Sequence, residues 1–116
     1  GVVSDVKKQW WAHWVRKATQ EFPRRLSLWQ HYLRELKEDP KKWERDYVYQ
    51  VERRVMLQLL MAEMDRPNPE DLSVLSALDH QLMGMVSESA FLWDPRVENG
   101  FPQRDYWFLY YSVRSD

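Results

Sequence analysis

The sequence predicts an all-α fold, a four-helix bundle closed on one side by an aromatic-rich C-terminal segment. Three observations carry this. Apolar residues recur at helical spacing through most of the chain. Asx-Pro pairs at Asp39-Pro40, Asn68-Pro69 and Asp94-Pro95 punctuate it as helix starts. The block Val55 to Met64 is apolar on nearly every side, so it must be covered on every side.

The first predicted helix runs from Ser4 to about Phe22, with Trp10, Trp11, Trp14, Val15, Ala18 and Phe22 on one broad face. A buried tryptophan removes roughly 200 Å² from water, so the three indoles are expected in the core. Pro23 is placed to end or kink this helix, and Ser27-Leu28-Trp29-Gln30 has the form of a capping box for a second one reaching Glu38. There Leu26, Leu28, Trp29, Tyr32, Leu33 and Leu36 take one side, and Gln30, His31, Arg34 and Glu38 the other.

The central helix is predicted over Asp39 to Asp65. Asp39 caps it and Pro40 fits the first position, where its missing N–H has no partner to lose. Trp43, Tyr47, Val48, Val51, Val55, Leu59 and Ala62 share a face. Beyond Val55 the apolar residues point all round, so this half is either the centre of the bundle or a subunit contact. Asn68, Pro69 and the carboxylates of Glu70 and Asp71 then open a fourth helix. Its inward side is Leu72, Leu75, Leu78, Leu82, Met85 and Val86.

After Ser89, Asp94-Pro95 starts an element that Asn99-Gly100 cuts to about a turn. The tail holds Tyr106-Trp107-Phe108-Leu109-Tyr110-Tyr111, a strand by propensity. A lone strand has no ladder partner in a helical chain, so Pro102 as a helix start favours a short helix over residues 103–113. The strand alternative implies pairing with a second copy.

The 116 residues fit a single helical domain, residues 1–116. There is no cysteine, so disulfides, cysteine-held zinc and a thiol nucleophile are excluded, as a reducing, cytoplasmic setting allows. No run is long and apolar enough for a membrane span, and a soluble protein is expected. Net charge is −1, but residues 1–58 carry 13 basic and 8 acidic side chains and residues 59–116 carry 4 and 10. Either the halves pack together, or the basic half presents a surface to an acidic partner.

Motifs for chemistry are scarce. Three glycines in the whole chain do not make a phosphate cradle, and there is no nucleophile elbow. His13, His31 and His80 lie on three predicted helices but fall on different faces, so no metal site and no cofactor is expected. Two polar residues sit on apolar arcs: Asp79 between Leu72 and Val86, and Gln58 between Tyr47 and Val51. A buried carboxylate must be paired, so Asp79 requires a partner, which Gln58, a Trp N–H, a Tyr hydroxyl or an inward-reaching arginine can supply.

The apolar surplus points to a protein–protein interaction or assembly module, a homo-oligomer or homodimer, with Leu57, Leu60, Met61, Met64, Trp107 and Tyr110 as contacts. The competing reading is a small-molecule-binding protein or enzyme with a tryptophan-lined pocket holding Asp79, Gln58, His13 and Trp14. No catalytic residue is assigned. A nucleic-acid-binding domain ranks third, because the long apolar central helix does not suit a groove and the domain is not basic overall.

Overall fold

A computed structural model describes residues 2–114, with side chains for residue 5 and residues 8–114. It is mostly helical. Helix α1 spans Val2–Glu38, the short turn α2 Pro40–Trp43, α3 Tyr47–Glu63 and α4 Pro69–Met83. A small antiparallel sheet pairs β1 (Val86–Glu88) with β2 (Tyr111–Val113), and 3₁₀ turns occupy 95–100 and 107–109.

Pro23 does not end α1, so the two helices expected before Glu38 are one, and Ser27 is an exposed mid-helix residue rather than a cap. A proline inside a helix removes one backbone hydrogen bond and costs about 3 kcal/mol. Burial on both sides of it offsets that cost. Ala18, Phe22, Leu26, Trp29, Leu33 and Leu36 are all buried, at steps of three and four residues that form one stripe continuing past the exposed Pro23. Each fully buried large side chain contributes about 1.5–3 kcal/mol.

The central helix also starts later than expected. Asp39 does cap a helical start, with φ −143°, ψ 78° and its carboxylate accepting from the Lys42 amide at 3.4 Å, and Pro40 opens that helix, but the helix is a single turn. One α turn and a 3₁₀ turn (Glu44–Asp46) reverse the chain before α3 begins at Tyr47. The Tyr32 hydroxyl ties this reversal to α1 by donating to the Trp43 carbonyl at 2.9 Å. Helix α3 then doubles back along α1 and buries Tyr47, Val51, Val55, Leu57 and Leu60. The start of α4 is as expected, with the Asn68 side chain accepting from the Glu70 amide at 2.8 Å. Its buried residues are Leu75, Leu78 and Leu82, while Leu72 stays at the surface.

The tail is where the expectation of a short helix fails. Pro102 starts only a single turn, closed by the Asp105 and Tyr106 amides on its carbonyl. The chain then forms β2, whose partner is β1 of the same chain, in the register Val86 to Val113, Ser87 to Ser112 and Glu88 to Tyr111. The Ser89 amide extends the pairing to the Tyr110 carbonyl, and the Leu92 amide to the Leu109 carbonyl. A partner strand was hidden in Val86-Ser87-Glu88, which reads as the end of the fourth helix by periodicity. Phe91, Trp93, Phe101, Tyr106, Phe108, Trp107, Tyr110 and Tyr111 form a chain of ring contacts at 5.1–6.4 Å, many of them edge-on. This layer is bolted to α3 by two bonds: Tyr47 hydroxyl to the Phe108 carbonyl at 2.7 Å, and Trp93 Nε1 to the Val48 carbonyl at 3.0 Å.

Two outcomes follow. Replacing exposed Pro23 by alanine restores a helical hydrogen bond and raises stability by about 1–3 kcal/mol, less what the freer unfolded chain regains; the urea midpoint should rise. Burial, chiefly, drives the Tyr47 phenol far above its ordinary value, with neighbouring Tyr32 and Asp79 adding and Arg54 opposing. The folded protein therefore keeps a proton that the unfolded chain releases above about pH 10. Stability present below that pH should fall above it by about 1.4 kcal/mol per pH unit for this group, and Tyr47→Phe should remove that part of the slope in urea titrations.

Candidate functional site

Two features depart from an ordinary small core. The first is a buried cation. Arg54 on α3 is only 4% exposed. Its Nε and Nη2 donate to the two carboxylate oxygens of Asp79 on α4 at 2.9 and 3.0 Å, and Nη1 donates to Gln58 one turn on at 3.1 Å. The guanidinium lies 4.5 Å from the centre of the Phe108 ring. The polar residues singled out as Asp79 and Gln58 thus do meet, through an arginine reaching in. Both carboxylate oxygens of Asp79 are occupied by a fork-to-fork pair, which holds α3, α4 and the aromatic layer together.

His13 and Trp14, the other members of the expected pocket, do not join this cluster. His13 lies on the outer side of α1 with Arg16, Lys17, Gln20 and Glu21. Among the described residues no group of three histidine, aspartate or glutamate side chains is gathered as a metal would need. The expected contact residues are also redistributed. Leu57 and Leu60 are buried in this chain's own core, and Met61 and Met64 are partly buried against it. Trp107 and Tyr110 belong to the aromatic layer, where the Tyr110 hydroxyl donates to the Phe101 carbonyl at 2.7 Å. Leu57 in particular, fully buried, has no surface to offer a partner.

The second feature is the one periodicity missed. The tryptophans expected in the core are outside it: Trp10 is 62% exposed, Trp11 51% and Trp14 40%. The reason is length. At 1.5 Å per residue α1 is roughly 55 Å long and α3 roughly 25 Å, so α3 cannot cover all of α1. The molecule is correspondingly elongated, 60 × 33 × 20 Å. The buried stripe of α1 begins at Ala18, and its continuation toward the N-terminus, Val15, Trp14 and Trp11, runs past the last turn of α3. Trp10 packs edge-on against Trp14 at 5.9 Å. Together with Met56, Leu59, Leu60, Ala62 and Glu63 of α3 the three indoles line an apolar groove of about 470 Å³. Leu59, expected inside, is 43% exposed there.

Comparison with protein-family models, with curated proteins and with solved structures finds no match to this chain. The groove and the clamp must therefore be judged on their own chemistry. The clamp has its hydrogen bonds within the chain and is structural. The groove carries no catalytic constellation, only apolar and aromatic surface with charge along its edges.

The clamp makes a stability prediction. Asp79→Ala strands a buried guanidinium and should cost about 3–5 kcal/mol, whereas Arg54→Met leaves a partly exposed carboxylate and should cost less. The Arg54→Met/Asp79→Leu double variant should lose less than the sum of its single changes in urea denaturation.

Proposed function

We propose that the protein is a helical interaction module that docks an apolar segment of another polypeptide in the groove between the first half of α1 and the last turns of α3. The observation that supports this best is the exposure of Trp11 and Trp14, with Trp10 beside them, on a stripe that is core along the rest of the same helix. At about 230 Å² per indole the three rings alone leave on the order of 350 Å² in water, already within the range of the largest patch on a typical monomer. Met56, Leu59 and, further along α3, Tyr49 at 75% exposed extend it. Tryptophan is the residue type that dominates binding energy at protein contacts. The groove has the form that accepts an amphipathic helix, with two helices as its walls. A soluble assembly module fits the absence, among the described residues, of a helix long and apolar enough to cross a membrane. The reading of a ligand pocket around Asp79 is the weaker one, since that carboxylate is engaged by Arg54.

Site-specific photo-crosslinking tests this. A benzophenone side chain at position 11 is expected to give covalent adducts with polypeptide, several-fold reduced by Trp10→Ser/Trp14→Ser, while the same group at position 34 on the far side gives few. Absence of polypeptide adducts at position 11, or equal yields from both positions, overturns it.

A further inference from the structure

Charge along the two edges of the groove identifies what fills it. The α1 edge is basic: Lys17 and Arg24 follow Trp10 at seven-residue steps and are exposed, and the nearby Glu21 carboxylate is paired with Arg25 at 3.5 Å. The α3 edge is acidic: Glu52 and Asp65 are exposed and Glu63 lines the groove itself. Arg53, near the floor, is hydrogen-bonded to Gln50 at 2.7 Å. A partner must therefore present apolar surface flanked by acid on one side and base on the other. An anionic lipid surface or a nucleic acid meets the α1 edge favourably but is repelled by the carboxylates a helix width away.

We infer that the occupant is a second copy of this chain, stacked groove to groove about a two-fold axis that runs along α1; this rests on the docking reading above. Two such axes lie in the plane of contact. One perpendicular to the helices sets α1 on α1 and α3 on α3, so that Lys17 meets its own kind and Glu63 its own kind. The axis parallel to α1 sets each α1 over the second copy's α3, so that Lys17 and Arg24 face the second copy's Glu52 and Glu63 on both sides at once. The tryptophans of each copy then lie on Met56 and Leu59 of the other. Two α1–α3 pairs stacked in this way make a four-helix layer across the contact, the bundle that a single chain has too few long helices to build.

Sedimentation equilibrium of the full chain over a roughly hundredfold concentration range is the test. The expected mass rises from 14.2 kDa toward twice that value. Trp10→Ser/Trp14→Ser should remain monomeric. Lys17→Glu should weaken the dimer about tenfold, and Lys17→Glu/Glu63→Lys should return it to within about threefold of the parent, as paired reversal across a two-fold requires. Circular dichroism should be unchanged in all of these, since Trp10, Trp14 and Lys17 lie outside the core and Glu63 at its edge. A monomer throughout, a dimer indifferent to Lys17→Glu, or a dimer that the double reversal does not restore overturns the inference, as does a monomer that sediments with anionic phosphatidylserine vesicles through its tryptophans. If the protein is monomeric while position 11 still crosslinks to other polypeptides, the second copy falls and the docking reading stands; if crosslinking fails as well, both fall.

Discussion

A single guanidinium sets the relation between the parts of this fold. Arg54 stands where α3, α4 and the aromatic layer converge, and each of the three supplies one of its contacts: Gln58 from α3, the Asp79 carboxylate from α4, the Phe108 ring from the tail. An apolar residue there would be indifferent to small rotations of its neighbours. A planar fork with two oxygens to satisfy is not, because a buried charge that loses its partner is worth several kcal/mol. The pair therefore fixes the rotation of α4 against α3, and Phe108, held on its other side by the Tyr47 hydroxyl at its carbonyl, fixes the depth of the tail.

With α3 anchored on that side, its opposite side is left to α1, and the two are mismatched in length. The exposure of Trp10, Trp11 and Trp14 follows from that mismatch. The stripe on α1 keeps one phase from Trp11 to Leu36, so no register change marks where the core ends. Only the end of α3 at Glu63, enforced by the extended backbone of Met64 and the turn to Asn68, decides that Ala18 is covered and Trp11 is not.

This also explains what the sequence made legible. Amphipathic faces were readable in part: the α1 stripe from Ala18 to Leu36, Leu75, Leu78 and Leu82 of α4 and the Asn68-Pro69 start stand where periodicity and capping put them, and the need of Asp79 for a partner was a matter of electrostatics alone. Three things were not. Continuity through Pro23 depends on packing against α3, which overrides a local cost. The strand at Val86 is three residues long, shorter than any alternation can announce, and is recognisable only by its partner at Tyr111–Val113. Periodicity, finally, says which face of a helix is apolar and is silent on what covers it, so Trp10, Trp11 and Trp14, expected inside, stand exposed, and Leu57, expected at a contact, is buried in this chain's own core.

The aromatic surplus is therefore two quantities with different meanings. The C-terminal rings are numerous but spent: many lie edge to face on one another, and the Trp93 indole and Tyr110 hydroxyl donate to backbone carbonyls of this chain, so they close the fold. The N-terminal indoles are few and unspent, because the helix that presents them outruns its own cover. A count of aromatic residues cannot separate the two cases, but helix length can. Where one helix of an antiparallel pair is twice as long as the other and its apolar stripe does not stop with the shorter one, the stripe emerges into solvent, and that uncovered half is the surface on which the proposed docking rests.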